Sequence, residues 1–139
     1  MAEYIDEELK TVEVRRVIDE TTGETELVES KDYYISKFPA VLGREIMLKY
    51  SLSMTDLVNN YSENEDVMRK ILRYVRVGMP DGRRIALDTD TLINNHVPSG
   101  EMLQALENAV LEYNFSFFKS GEPSKQQQQT MTDSPEKNI

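Results

Sequence analysis

Between residue 38 and about residue 119 the large apolar residues recur at helical spacing, and that periodicity restricts the fold more than any other feature of the sequence. Leu103, Leu106, Val110, Tyr113 and Phe117 follow one another in steps of three and four, an amphipathic stripe with Ser99 placed to cap it. Earlier, Pro39 suits the first turn of a helix running through Tyr50, with Leu42, Ile46 and Tyr50 on one face. Ser53-Met54-Thr55-Asp56 approximates a capping box, which would open a short helix holding Met54, Leu57, Val58 and Tyr61. Ser62-Glu63-Asn64-Glu65 is a second capping box, and Val67, Met68, Ile71, Leu72 and Val75 would point inward from the helix after it. On its outer face Glu65–Arg69 and Asp66–Lys70 are favourable pairs. Gly78, Pro80, Asp81 and Gly82 mark a turn, Arg84 to Leu87 a short extended piece, and Asp88 or Thr89 a cap for a helix with Leu92 and Ile93.

The flanking zones read differently. In residues 1–37, Val12 and Val14 alternate with polar neighbours at period two, a polar stretch ends at Gly23, and Thr25, Leu27 and Val28 suggest a returning strand. This is an acidic segment with a β-hairpin, which must pack on something because a lone hairpin is marginal in water. Residues 120–139 are polar and low in complexity, with too few apolar residues to offset the entropy of ordering. The expectation is an α+β, mainly α chain: an N-terminal hairpin, a compact helical domain over 38–119 of about four to five helices, and a disordered C-terminal tail.

Composition removes several function classes. There is no cysteine, hence no disulfide, thiolate ligand or Cys nucleophile. The formal charge of −9 repels nucleic-acid phosphate, so nucleic acid is a poor partner. No apolar run approaches the ~20 residues that span a bilayer, and Met1-Ala2-Glu3-Tyr4 has neither the basic start nor the apolar stretch of a signal peptide. The expected location is the host cytoplasm, with no membrane partner.

No catalytic residue, cofactor site or metal site is expected. His96 is the single histidine and reads as a helix-end or packing residue. Asp88-Thr89-Asp90-Thr91 lacks the glycine and distal glutamate of a calcium loop and is better explained as capping oxygens. Glu107 and Glu112, five residues apart, read as solvated positions on different faces of a helix. No phosphate-binding loop or dinucleotide glycine pattern occurs. The candidate partner-binding residues are of two kinds. Phe115, Phe117 and Phe118 cannot all share one helical stripe, which leaves aromatic surface for a contact. Arg69, Arg73 and Arg76 can share one helix face and offer a basic patch to an anionic partner, against the plainer reading of a charged outer face balanced by nearby carboxylates.

Two stretches carry a resemblance. Phe38-Pro39-Ala40-Val41-Leu42-Gly43-Arg44-Glu45-Ile46 opens the helical zone, and Leu92-Ile93-Asn94-Asn95-His96-Val97-Pro98 with Leu106 through Phe118 closes it. Together they resemble the tail assembly chaperones of tailed bacteriophages, over roughly residues 38–118. The resemblance implies a mostly helical, non-catalytic protein that binds the phage tape-measure protein, keeps its hydrophobic helices soluble, assists the tail tube protein in assembling around it, and is absent from the finished virion. It also implies, as in many relatives, a programmed frameshift, for which the codons of Phe117-Phe118-Lys119 are a natural slippery site. The free hairpin edge would allow a homo-oligomer. The alternatives are a structural tail or baseplate component of the virion and a small helical DNA-binding regulator.

Overall fold

The alternation of Val12 and Val14 is the inner face of a long hairpin. In the computed structural model, which describes residues 4–116, β1 (Ile5–Asp19) and β2 (Glu24–Lys37) pair antiparallel along almost their whole length. The turn between them closes through the Gly23 amide, which donates to the Asp19 carbonyl at 2.7 Å, and Gly23 has the positive φ of 77° that favours glycine. Helices α1 (Ala40–Thr55) and α2 (Tyr61–Leu72) follow. A small second hairpin, β3 (Val75–Gly78) and β4 (Arg84–Ala86), precedes α3 (Asp90–His96) and α4 (Gly100–Asn114). Strand β3 joins the first hairpin at Tyr34 and Ile35, so the sheet has four strands in the order β1-β2-β3-β4, every neighbour antiparallel.

One face of this sheet is the core. Val12, Val14, Tyr33, Ile35, Val75 and Val77 are buried with Met102, Leu106, Val110 and Leu111 of α4, Ile46 and Tyr50 of α1, and Val67, Met68, Ile71 and Leu72 of α2. Helix α4 lies against both β1 and β2, and α1 and α2 pack on one another. Thr89 and Ser99 cap α3 and α4, their side-chain oxygens accepting from the amides of Leu92 and Met102. The alternating burial of residues 11–14 and 32–35 leaves the opposite face of the sheet outward.

The expectation of a mainly α fold, a hairpin set on a bundle of four to five helices, is overturned. The described residues are 44% helix and 32% strand, arranged as a four-stranded antiparallel sheet with four helices. Two local misreadings produce most of the difference. Val75 belongs to β3 and not to the stripe of α2, because the helix ends at Leu72 and the Tyr74 amide turns back to the Ile71 carbonyl. The helix predicted to open at Ser53 does not exist as such. Ser53 lies inside the last turn of α1, its hydroxyl donating to the Tyr50 carbonyl at 3.0 Å and accepting from the Asn64 side-chain amide at 3.0 Å. Arg84-Ile85-Ala86 is extended as expected. The reading of residues 120–139 as a disordered tail lies outside the described residues, as do Phe117 and Phe118.

The C-terminal end of α4 fastens the hairpin. The Asn114 side chain accepts from the Phe38 amide at 2.7 Å and donates to the carbonyls of Ser36 and Val110. Lys37 donates to the Tyr113 carbonyl at 2.6 Å, and the Tyr113 hydroxyl donates to the Asp6 carbonyl. Replacing Asn114 by Ala strands the half-buried Phe38 N–H and the Ser36 carbonyl. Urea denaturation is expected to show a loss of about 1–3 kcal/mol for Asn114→Ala.

Candidate functional site

Helix α1 has two apolar faces. The inner one is built by Leu42, Ile46 and Tyr50, with the buried Gly43 and Ser53 completing it. Gly43 lies against Phe38, where an added Cβ would stand at an ordinary contact distance of 3.5 Å from Phe38 Cβ. The outer face carries Val41, Leu48 and Leu52 at steps of seven and four, so the three share one side of the helix. None is covered: Val41 is 84% exposed, Leu48 50% and Leu52 65%. Arg44 stands exposed on the same stripe. Met54 in the last turn of α1 is exposed, and the chain then leaves the helix through a turn that exposes Leu57 and Val58 (the last 90% exposed) and enters α2 at the exposed Tyr61. Exposed apolar side chains scattered singly mean little, but a run of them along one helix face and its following turn marks a contact surface.

Polar contacts brace one side of this ridge. Glu45 on the flank of α1 pairs with Lys49 at 3.1 Å and with Lys70 of α2. The Lys70 ammonium is the main reason the Glu45 carboxyl is held below the usual carboxylate range. The Asn64–Ser53 bond ties the start of α2 to the end of α1. The ridge therefore projects from a braced helix pair.

The structure disperses the residues singled out from sequence. Arg69 lies on α2, but its guanidinium is bidentate on Asp90 at 2.9 and 3.2 Å and also meets Glu65 and Asp66. Arg73 follows the end of α2, exposed and without an ion pair among the described residues. Arg76 is on β3, not on a helix face with the other two. It is bidentate on Glu7, with both contacts 2.7 Å, and stacks over the Tyr4 ring. Arg84 adds a third contact to Glu7, whose carboxyl is held low chiefly by the hydrogen bond from Arg76. The three arginines thus form no common basic face, and two are engaged by carboxylates. Phe115 is half-buried against the core, 6.0 Å ring to ring from Phe38. The ridge itself was missed. Its signal was present in Val41, Leu48 and Leu52, which give α1 a second apolar stripe when Leu42, Ile46 and Tyr50 already account for the core.

No group of three His, Cys, Asp or Glu residues could hold a metal ion, and no helix is long and apolar enough to cross a membrane, among the described residues. His96 ends α3, where its backbone carbonyl accepts from Lys31 and from the Tyr33 hydroxyl, each at 2.7 Å. Burial pushes that Tyr33 hydroxyl up to about 12.

Glu107 corrects the reading of α4 as carrying solvated carboxylates. It is only 6% exposed, between the sheet-facing stripe and the α1–α2 pair, and burial, with the nearby Glu65 charge, pushes its carboxyl up to about 7. The folded state therefore holds this proton between the ordinary glutamate range and neutrality, where the unfolded chain has already released it. Stability from Glu107 is present in full below the unfolded pKa and falls as pH rises towards 7. The loss is on the order of 3 kcal/mol. Denaturant midpoints compared at pH 5 and pH 8 are expected to show that fall for the parent chain and a much smaller one for Glu107→Gln.

No protein-family model, curated protein or solved structure matches this chain.

Proposed function

We propose that this protein is a non-catalytic assembly chaperone that holds an apolar helical client, and that the client is the tape-measure protein of a tailed bacteriophage. The observation that carries the reading is the uncovered ridge of Val41, Leu48 and Leu52, continued by Leu57, Val58 and Tyr61, on a chain of net charge −9. A holdase has to meet two opposed needs. It must offer apolar area to a client that would otherwise aggregate, and it must keep the complex in solution. The ridge serves the first need and the acidic charge the second. The spacing of Val41, Leu48 and Leu52 suits a second helix laid along α1, the mode in which amphipathic helices are recognised by anchors at helical intervals. The likeness of residues 38–118 to phage tail assembly chaperones supplies the identity of the client, with the tail tube protein as the second partner. This reading places the protein in the host cytoplasm during tail assembly.

Co-expression with the tape-measure protein of the same genome tests it. The tape-measure protein is expected to become soluble and to co-purify. Leu48 and Leu52 are both exposed, so Leu48→Ser/Leu52→Ser is expected to leave the fold intact. It removes about 1.5–3 kcal/mol of burial for each side chain that the client covers fully. Retention of the client is therefore expected to fall by at least about tenfold. A tape-measure protein that stays insoluble and unbound beside a folded partner would overturn the proposal.

A further inference from the structure

Strand β1 is the outer strand of the sheet, and its free edge is unusually open. It runs for 15 residues, whereas β4 at the other edge has three. Natural sheets blunt such edges with short strands, proline, bulges or a covering element. β1 contains neither proline nor glycine. From Glu8 to Val17 its residues pair with β2 one after another, and the irregularity between Val14 and Arg15 is an extra residue on the β2 side; the two extra residues on β1 itself lie outside this run, between Ile5 and Glu8 and between Val17 and Asp19. Apart from the turn bond at Asp19 and the Tyr113 hydroxyl on Asp6, no backbone group of β1 bonds outside the hairpin among the described residues. Helix α4 covers the inner face of β1, where Val12 and Val14 are buried, and its Ala109, Glu112 and Tyr113 flank the strand at Lys10 and Thr11, short of the Glu13–Arg15 stretch.

The side chains along that edge are complementary to themselves. Two identical strands that pair antiparallel edge to edge, with their sheets continuous, are related by an axis perpendicular to the sheet, so opposed residues must point to the same face. Centred on Val14, this pairing sets Glu13 against Arg15 of the second copy, and Arg15 against its Glu13. Glu13 and Arg15 already meet along one strand at 2.9 Å, so the four side chains close a ring of alternating charge around the axis. Centring on Glu13 or on Arg15 instead sets like charges face to face. The Val14 register also brings Thr11 opposite Val17, at the end of the hairpin where Val17, Ile18, Leu27 and Val28 are exposed. A two-stranded ribbon standing alone there is marginal, and pairing makes it four strands wide.

We propose that two copies of this chain associate through their β1 edges, antiparallel about a two-fold axis at Val14, joining two four-stranded sheets into one. The proposal is independent of the client reading, since the β1 edge and the α1 ridge share no residue. Light scattering on the size-exclusion peak is expected to give twice the 16.1 kDa chain mass for the parent protein. Glu13→Arg and Arg15→Glu are each expected to run as monomers, with unchanged circular dichroism because the exposed pair contributes little to the fold. The double variant Glu13→Arg/Arg15→Glu is expected to return to a dimer, and an equimolar mixture of the two single variants to form a heterodimer. A monomeric parent protein, a Glu13→Arg variant that stays dimeric, or a mixture that stays monomeric would each overturn the proposal. A separate readout avoids the charge variants. In the cysteine-free chain, Thr11→Cys/Val17→Cys places thiols about 20 Å apart within one strand but opposite one another between copies. Mild oxidation is expected to give a covalent dimer, and a product that remains monomeric contradicts the register.

Discussion

Helix α4 laid across the inner face of β1 and β2 is the contact on which the other elements depend. A hairpin of this length has no stability to spare by itself, and its apolar side chains Val12, Val14, Tyr33 and Ile35 are buried in one cluster with Met102, Leu106, Val110 and Leu111 of α4. The Asn114 and Tyr113 bonds pin the far end of the helix to the strand ends at Phe38, Ser36 and Asp6. Once α4 is placed, α2 packs on its remaining side, β3 extends the sheet at Tyr34 and Ile35, and α1 closes the core with Ile46 and Tyr50. The buried Glu107 sits in this second seam, which makes the seam sensitive to pH in the range where its carboxyl titrates.

Because α1 closes the core with only one of its faces, its other face is left facing water. That arrangement separates two surfaces by chemistry. The α1 ridge is apolar and helical, suited to a helical client. The β1 edge is a row of backbone donors and acceptors flanked by alternating charge, suited to another strand. Paired charges occupy much of the remaining surface. Glu7 between Arg76 and Arg84, and Asp90 under Arg69, tie strands and helices together and take the basic residues out of play as a docking patch.

The sequence made parts of this visible and hid others for identifiable reasons. The hairpin was legible from Val12 and Val14, and the caps of α3 and α4 from Thr89 and Ser99, because each signal is local and chemically explicit. The stripe of α4 was legible because Leu106 and Val110 face one core throughout. The length of β2 was not, since Glu29-Ser30-Lys31-Asp32 has no apolar residue to signal a strand and is paired along its length with β1. Strand β3 is four residues long, and Val75 happened to continue the period of α2. Ser53 looked like a cap because its side-chain bonds to Tyr50 and Asn64 depend on a helix packing that local sequence does not encode. Burial of Glu107 was hidden in the same way. The ridge was readable in principle, as a second stripe on α1, but a helix apolar on two sides looks from sequence like one buried on two sides.

The central claim is that the outer face of α1 and the turn after it are where the client binds. Hydroxyl-radical footprinting of the free protein and of its complex with the tape-measure protein tests this directly, because Leu48, Leu52, Met54 and Tyr61 are all exposed and oxidisable in the free chain. The result in keeping with the claim is strong protection at these four residues in the complex, with Leu9 on the outward face of the sheet oxidised as before. Unchanged oxidation along α1 in a complex that does form, with protection appearing elsewhere, would contradict it.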